Sequence, residues 1–257
     1  MSAIKDTDSP TVFRPSELLD SLSPRFGSKT LFIDGRNEVR LQEDLPEAPI
    51  DGWLSPDCDE FWIVISGSYT VGIGDTEAFS AVHGDIVYCP RGRPQTIRPS
   101  EVSYRFTVAC LDESPRKVRH NPGGVPLPDR EQIPNRLLLE REFMLEISQR
   151  QRKHTVIEGP ENSMVLIRET PGTVSKAHWH FDFDEWWYIP QGRLSFEVGA
   201  NRPRLEAQAG DIAFVPRGFR HSITTREGED SLRMPVTTPE SVHIYEDGDD
   251  SAPPPRA

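Results

Sequence analysis

Apolar residues along this chain fall in short runs broken by Gly, Pro, Asp and Ser, not in the three-and-four spacing of an amphipathic helix. The clearest runs are Trp62–Ile65, Tyr69–Ile73 and Ile86–Cys89 in the first half, and Trp186–Ile189, Leu194–Val198 and Ile212–Val215 in the second. Each is rich in aromatic and β-branched side chains, which suit a pleated, half-buried surface, so each is expected to be a strand. The dipeptides Gly84-Asp85 and Gly210-Asp211 mark turns before the third run of each set. Many short, evenly punctuated strands with few helices predict an all-β chain built as a closed barrel or jelly roll.

The two sets are one unit written twice. Asp59-Glu60-Phe61-Trp62-Ile63-Val64-Ile65-Ser66-Gly67 aligns with Asp184-Glu185-Trp186-Trp187-Tyr188-Ile189-Pro190-Gln191-Gly192. Gly84-Asp85-Ile86-Val87-Tyr88-Cys89-Pro90-Arg91-Gly92 aligns with Gly210-Asp211-Ile212-Ala213-Phe214-Val215-Pro216-Arg217-Gly218. Both blocks match at an offset of about 125 residues and in the same order, the mark of an internal duplication. The expected organisation is an N-terminal segment (1–29), a first barrel (30–110), a linker (111–155), a second barrel (156–240) and a solvated acidic tail (241–257). Leu111–Arg130, rich in Pro, Gly and charge, is expected to cross the surface as a loop. Arg136–Arg152 is the best helix candidate, although Phe143–Ile147 alternates enough to be a strand.

Composition narrows the function. A chain of 257 residues has room for two small barrels, and 24 Pro with 18 Gly suit strands joined by tight turns. The net charge of −12 repels phosphate backbones and anionic bilayers, so neither nucleic acid nor membrane is expected as a partner. The three cysteines, Cys58, Cys89 and Cys110, are too few for a disulfide framework. With no signal-like N-terminus and no spanning apolar stretch, the sequence reads as cytoplasmic.

The second unit carries the chemistry. It runs Gly172, five residues, His178-Trp179-His180, four residues, Glu185, six residues, Gly192, and later Gly210, five residues, Pro216-Arg217-Gly218-Phe219-Arg220-His221. Residues two apart on a strand share a face, so His178 and His180 can aim both imidazoles into a barrel. A short turn returns Glu185 on a neighbouring strand, and the Pro-x-Gly turn can aim His221 at the same point. Three imidazoles and a carboxylate leave positions open on a six-coordinate ion for a substrate or dioxygen. The other histidines, His83, His120, His154 and His243, read as surface or hydrogen-bonded core residues.

These residues closely resemble the two motifs of the cupin superfamily, and the duplication resembles its two-barrel members, the bicupins. Residues 172–192 match the first motif at every defined position, and 210–221 match the second through the histidine, with Thr225 in place of the closing Asn. The resemblance implies two jelly-roll barrels, with short helices in the N-terminal and inter-barrel segments. It also implies one divalent transition metal held by His178, His180, Glu185 and His221. Iron(II) is the first expectation, and manganese, nickel, copper and zinc accept the same donors. In the first unit Trp53 and Ser55 stand where the two histidines belong and Gln95 replaces the third, while Glu60 and the Pro90-x-Gly92 turn remain. That unit is expected to be scaffold or dimer contact; the alternative makes Glu60, Gln95 and Cys58 a second small-molecule pocket.

Strand parity from Glu185 places Trp187 and Ile189 inside the barrel and Trp186 and Tyr188 outside; Phe219 is placed near the metal with its parity left open by the turn. Trp187, Ile189 and Phe219 are therefore the candidate substrate wall, suited to an aromatic or apolar compound. Arg168, Lys176, Arg193 and Arg217 are candidates to pair a substrate carboxylate. The His-Trp-His segment also resembles the oxalate decarboxylases, which are manganese bicupins, but Ser175 replaces the Arg that holds oxalate there.

The reading favoured by the resemblance is a metal-dependent oxidoreductase, a non-haem iron(II) dioxygenase acting on a small organic substrate, with Glu185 as a ligand that also accepts a proton. The alternatives are a redox-neutral metal-dependent isomerase, lyase or decarboxylase, and a non-catalytic metal- or small-molecule-binding cupin. The expected partners are a small-molecule substrate and dioxygen; the resemblance also admits a homodimer, which no residue specifies.

Overall fold

The computed structural model describes residues 8–22, 25–54, 58–111, 116–117, 133–199 and 204–245. Most of the linker expected to be a surface loop, including His120, and the acidic residues 246–257 lie outside the described residues. The chain forms two compact units, residues 1–5 with 22–145 and residues 6–21 with 146–257. Among the described residues no helix is long and apolar enough to cross a membrane.

In the first unit a six-stranded sheet runs in the order Leu138–Leu139, Ile86–Cys89, Glu60–Ser66, Ser103–Cys110, Asn37–Asp44, Ser28–Ile33. Its companion sheet has the order Arg116–Lys117, Ile50–Leu54, Gln95–Pro99, Ser68–Ile73, Phe79–Val82. The second unit repeats the plan. Its six-stranded sheet is Thr11–Phe13, Ile212–Val215, Glu185–Gln191, Ser231–Thr237, Ser163–Glu169, Lys153–Glu158, beside a three-stranded sheet Leu205–Gln208, Arg193–Val198, His221–Thr225. All six apolar runs singled out in the sequence are strands. The fold is all-β, with both units built from paired antiparallel sheets on one plan.

Each repeat begins with an edge strand and a helix: Thr11–Phe13 with Pro15–Ser21, and Leu138–Leu139 with Arg141–Arg150. The edge strand does not join the barrel that follows it in sequence. Thr11–Phe13 pairs with Ile212–Phe214 of the second unit, and Leu138–Leu139 pairs with Ile86–Val87 of the first. This explains why the second helix starts at Arg141 and not at Arg136. Leu138 and Leu139 are used as strand, and the Asp85 carboxylate accepts a 2.8 Å hydrogen bond from the Arg141 amide, satisfying one of the helix's free N-terminal donors.

The duplication reaches individual side chains. Asp59 accepts a bond from the Arg91 amide at 2.9 Å, and Asp184 accepts one from the Arg217 amide at 2.8 Å. Asp85 and Asp211 accept bonds from the Val82 and Gln208 amides, each at 2.9 Å, closing the two turns. The hairpin glycines Gly67 (φ 81°) and Gly192 (φ 80°) occupy left-handed backbone, where an added Cβ would lie 2.1 Å from Ser103 Oγ and 2.5 Å from the Asp230 carbonyl oxygen.

A buried ion pair also recurs, Arg105 Nε with Asp44 at 2.7 Å in the first unit and Arg233 with Glu169 at 3.0 Å in the second. Burial disfavours the Arg105 cation, but the Asp44 carboxylate outweighs it and raises its pKa. Because Asp44 and Arg105 are both shielded from water, removing one strands the other. Asp44→Ala is expected to lower unfolding free energy by about 3–5 kcal/mol, measured by urea denaturation.

One feature was not legible from cysteine count. The Cys58 and Cys110 sulfurs are bonded, with Cα atoms 6.4 Å apart, while Cys89 is a buried free thiol. Glu60–Ser66 and Ser103–Cys110 are antiparallel neighbours with Phe61 opposite Val108, which brings position 58 beside position 110. A single bridge is not a framework, as the cysteine count predicts.

Candidate metal centre

The site is built where three backbone pairings meet. His178 and His221 exchange both backbone hydrogen bonds, at 3.0 and 2.8 Å, so their side chains leave one face of the same bridge with ring centroids 4.4 Å apart. Trp179 pairs instead with Ile244, at 3.2 and 3.0 Å, and the Gly218 amide bonds to the His180 carbonyl at 2.5 Å. The His-Trp-His segment is thus held by isolated bridges and not by a regular ladder, yet the two histidines still turn inward. Glu185 begins the strand Glu185–Gln191 and lies opposite Val215.

His178, His180, Glu185 and His221 are all buried, and one nitrogen or oxygen from each lies within 4.8 Å of the others. Each imidazole is oriented by a backbone carbonyl that accepts its Nδ1–H: Lys176 for His178 at 2.9 Å, Val242 for His180 at 2.8 Å and Phe219 for His221 at 3.0 Å. All three Nε2 atoms therefore face inward, as ligating histidines do when their other nitrogen is tied down.

The protonation pattern follows from partners. His180 Nε2 lies 2.9 Å from Glu185 Oε2, so in the metal-free chain both of its nitrogens face acceptors, which favours the charged form. Burial alone lowers the His180 pKa, but the Glu185 carboxylate outweighs it and raises the value. Burial also pushes Glu185 up, yet His180 and His221, the latter 3.2 Å away, hold it well below the usual carboxylate range. His178 is driven down to about 3 by burial and by His221. It stays neutral, with a lone pair on Nε2.

The fit to a divalent transition metal rests on an orphaned atom. The Nε2 atom of His178 is buried without a hydrogen-bond partner, a costly arrangement unless something accepts its lone pair, while His221 Nε2 meets only the Glu185 carboxylate, 3.2 Å away. That nitrogen, two further imidazoles and a carboxylate form the N/O set that iron, manganese, nickel, copper and zinc accept.

The predicted wall residues lie nearby but are tightly packed. Trp187, Ile189 and Phe219 belong to one buried apolar cluster with Leu194, Phe196 and Ile223, and the Trp187 ring is 5.3 Å from the His221 ring. Trp186 and Tyr188, on the opposite face of that strand, are buried as well. Of the candidate cations, Arg168 pairs with Asp230, Arg193 with Glu229 and Arg217 with Asp184. Lys176 lies 4.8 Å over the Tyr245 ring. Ser175 is structural, exchanging bonds with the Ile223 backbone, and Thr225 bonds to Ser231 across the barrel end.

Sequence reasoning missed His243. His83 and His154 do bond to carbonyl oxygens, of Ile65 and Ile147. His243 instead lies with its ring 4.7 Å from that of His178 and 4.6 Å from that of His180. Residues 241–245 were assigned to a solvated tail, but the bridge to Trp179 lays them against the site. The available signal was the alternation Val242-His243-Ile244-Tyr245, which puts His243 and Tyr245 on one face.

Comparisons with known proteins agree with this geometry. Residues 165–238 match the family model described as the cupin domain. No curated protein sequence matches the chain. Among solved structures, a cupin 2 conserved barrel domain protein from Leptotrichia buccalis superposes with a TM-score of 0.64 at 11% identity, covering 91% of this chain and 99% of that one. Oxalate decarboxylase from Bacillus subtilis, at pH 4.6, superposes with a TM-score of 0.52 at 18% identity, covering 94% and 81%. At these identities the likeness is one of fold. Within the residues that match the cupin domain, His178, His180, Glu185 and His221 form a candidate metal centre.

Proposed function

We propose that this protein is a non-haem iron(II) dioxygenase acting on a small aromatic or carboxylate substrate. The observation that carries the reading is the buried three-histidine, one-carboxylate cluster, in which His178 Nε2 has no hydrogen-bond partner. Four protein ligands leave two positions on a six-coordinate ion, and iron(II) bound there would supply a redox-active centre with room for dioxygen and one substrate donor atom.

The chain's own contribution is orientation and proton handling. The carbonyls of Lys176, Val242 and Phe219 fix the imidazoles, and Glu185 is the carboxylate placed to accept a substrate proton. The exposed Phe181 and Val242, with His243 and Tyr245, give an apolar and aromatic rim, and Lys176 offers a cation for a substrate carboxylate. Trp187, Ile189 and Phe219 back this rim as the inner wall.

The test is an oxygen-electrode screen of iron-reconstituted protein against phenolic and carboxylate substrates. Dioxygen uptake matched to substrate loss is expected. Equal turnover with dioxygen excluded would replace the reading with redox-neutral Lewis-acid chemistry, and tight binding without turnover would make the protein a ligand-binding cupin.

A further inference from the structure

The first unit keeps the frame of the metal site but not its ligands. Trp53 pairs with Gln95 in the register in which His178 pairs with His221, and Glu60 begins its strand as Glu185 does. Gln95 Nε2 donates to Glu60 Oε2 at 2.9 Å, in the place of the imidazole–carboxylate contact of the second unit. Where that unit gathers four ligands, this one has a cavity of about 430 Å³, a size typical of small-molecule sites.

We infer that this cavity binds a small aromatic compound bearing hydroxyl or amino donors. Trp53 supplies a flat apolar wall with Ile50 and Ile97 and, 36% exposed, stands where a ligand could enter. The polar end is acceptor-rich. A carboxylate such as Glu60 accepts up to about four hydrogen bonds, and the Gln95 carbonyl accepts more while its amide is committed to Glu60. Both cations lining the cavity are paired, Arg105 with Asp44 and Arg40 with Glu38, and Arg105 already lies 4.9 Å over the Trp62 ring. An organic anion would therefore meet Glu60 without a fresh partner. Cys58, the third residue expected at this pocket, is committed to Cys110 and does not line it.

Resorcinol, whose hydroxyls are too far apart to chelate one ion, is the probe, titrated calorimetrically into the full chain beside benzoate and glucose. One resorcinol per chain is expected, bound more tightly than benzoate or glucose. Trp53→Ala and Gln95→Leu should each weaken it by about tenfold or more, through loss of a stacking wall and of a hydrogen-bond acceptor. The His178→Ala/His221→Ala double variant should leave it unchanged, so the outcome is independent of the metal reading. No binding, a preference for benzoate or glucose, indifference to both pocket variants, or loss in the double variant would each overturn the inference.

Discussion

His221→Ala is expected to weaken binding of a divalent transition metal by more than about a hundredfold, because loss of a supporting partner alone costs ten- to a hundredfold and His221 is a candidate ligand itself. The metal-free protein should respond much less. In the metal-free chain the substitution removes the 3.2 Å contact of His221 Nε2 with Glu185, the Nδ1 bond to the Phe219 carbonyl and ring packing against His178 and Trp187. A cost of about 1–3 kcal/mol follows for the metal-free fold. Asp44→Ala has the opposite profile, with a large loss of stability and metal affinity retained. Calorimetric metal titration together with urea denaturation of the metal-free forms separates the two. A His221→Ala protein that binds metal as the parent does would remove His221 from the ligand set.

The second large effect is pH. In the metal-free protein His180 donates from both nitrogens and its pKa is raised, so a metal that takes Nε2 must displace a proton. The sign is fixed by which form binds. Below the His180 pKa, affinity falls by at least about tenfold per pH unit, since that ring alone must give up one proton. Glu185, held well below the usual carboxylate range, and His178, at about 3, do not add protons across most of that window. Metal titrations across a pH series should therefore show affinity that falls on the acid side with a slope of one or more. Affinity that rises on acidification would contradict the assignment of His180 as the protonated member.

The parts of the molecule legible in the sequence are those decided locally. The six apolar runs became strands because Gly and Pro turns delimit them and their side chains suit a buried pleated surface. The four candidate ligands came together because strand parity and the Pro-x-Gly turn act over a few residues. What stayed hidden depends on distant partners. The late start of Arg141–Arg150 depends on Asp85 and on the use of Leu138–Leu139 as an edge strand, and the small strand Thr11–Phe13 has meaning only beside Ile212–Phe214. His243 reaches the site because Ile244 pairs with Trp179, and Cys58 meets Cys110 because two long strands lie in one register. The alternation around His243 gives its face but not its partner, and the Cys58–Cys110 contact has no local sequence signature.

The central claim is that the second unit holds a metal, and elemental analysis of the purified chain beside His178→Ala and His221→Ala tests it most directly. The account predicts about one divalent transition metal per chain in the parent and none in either variant. A parent protein that retains no metal, even after anaerobic reconstitution with iron(II), would contradict it.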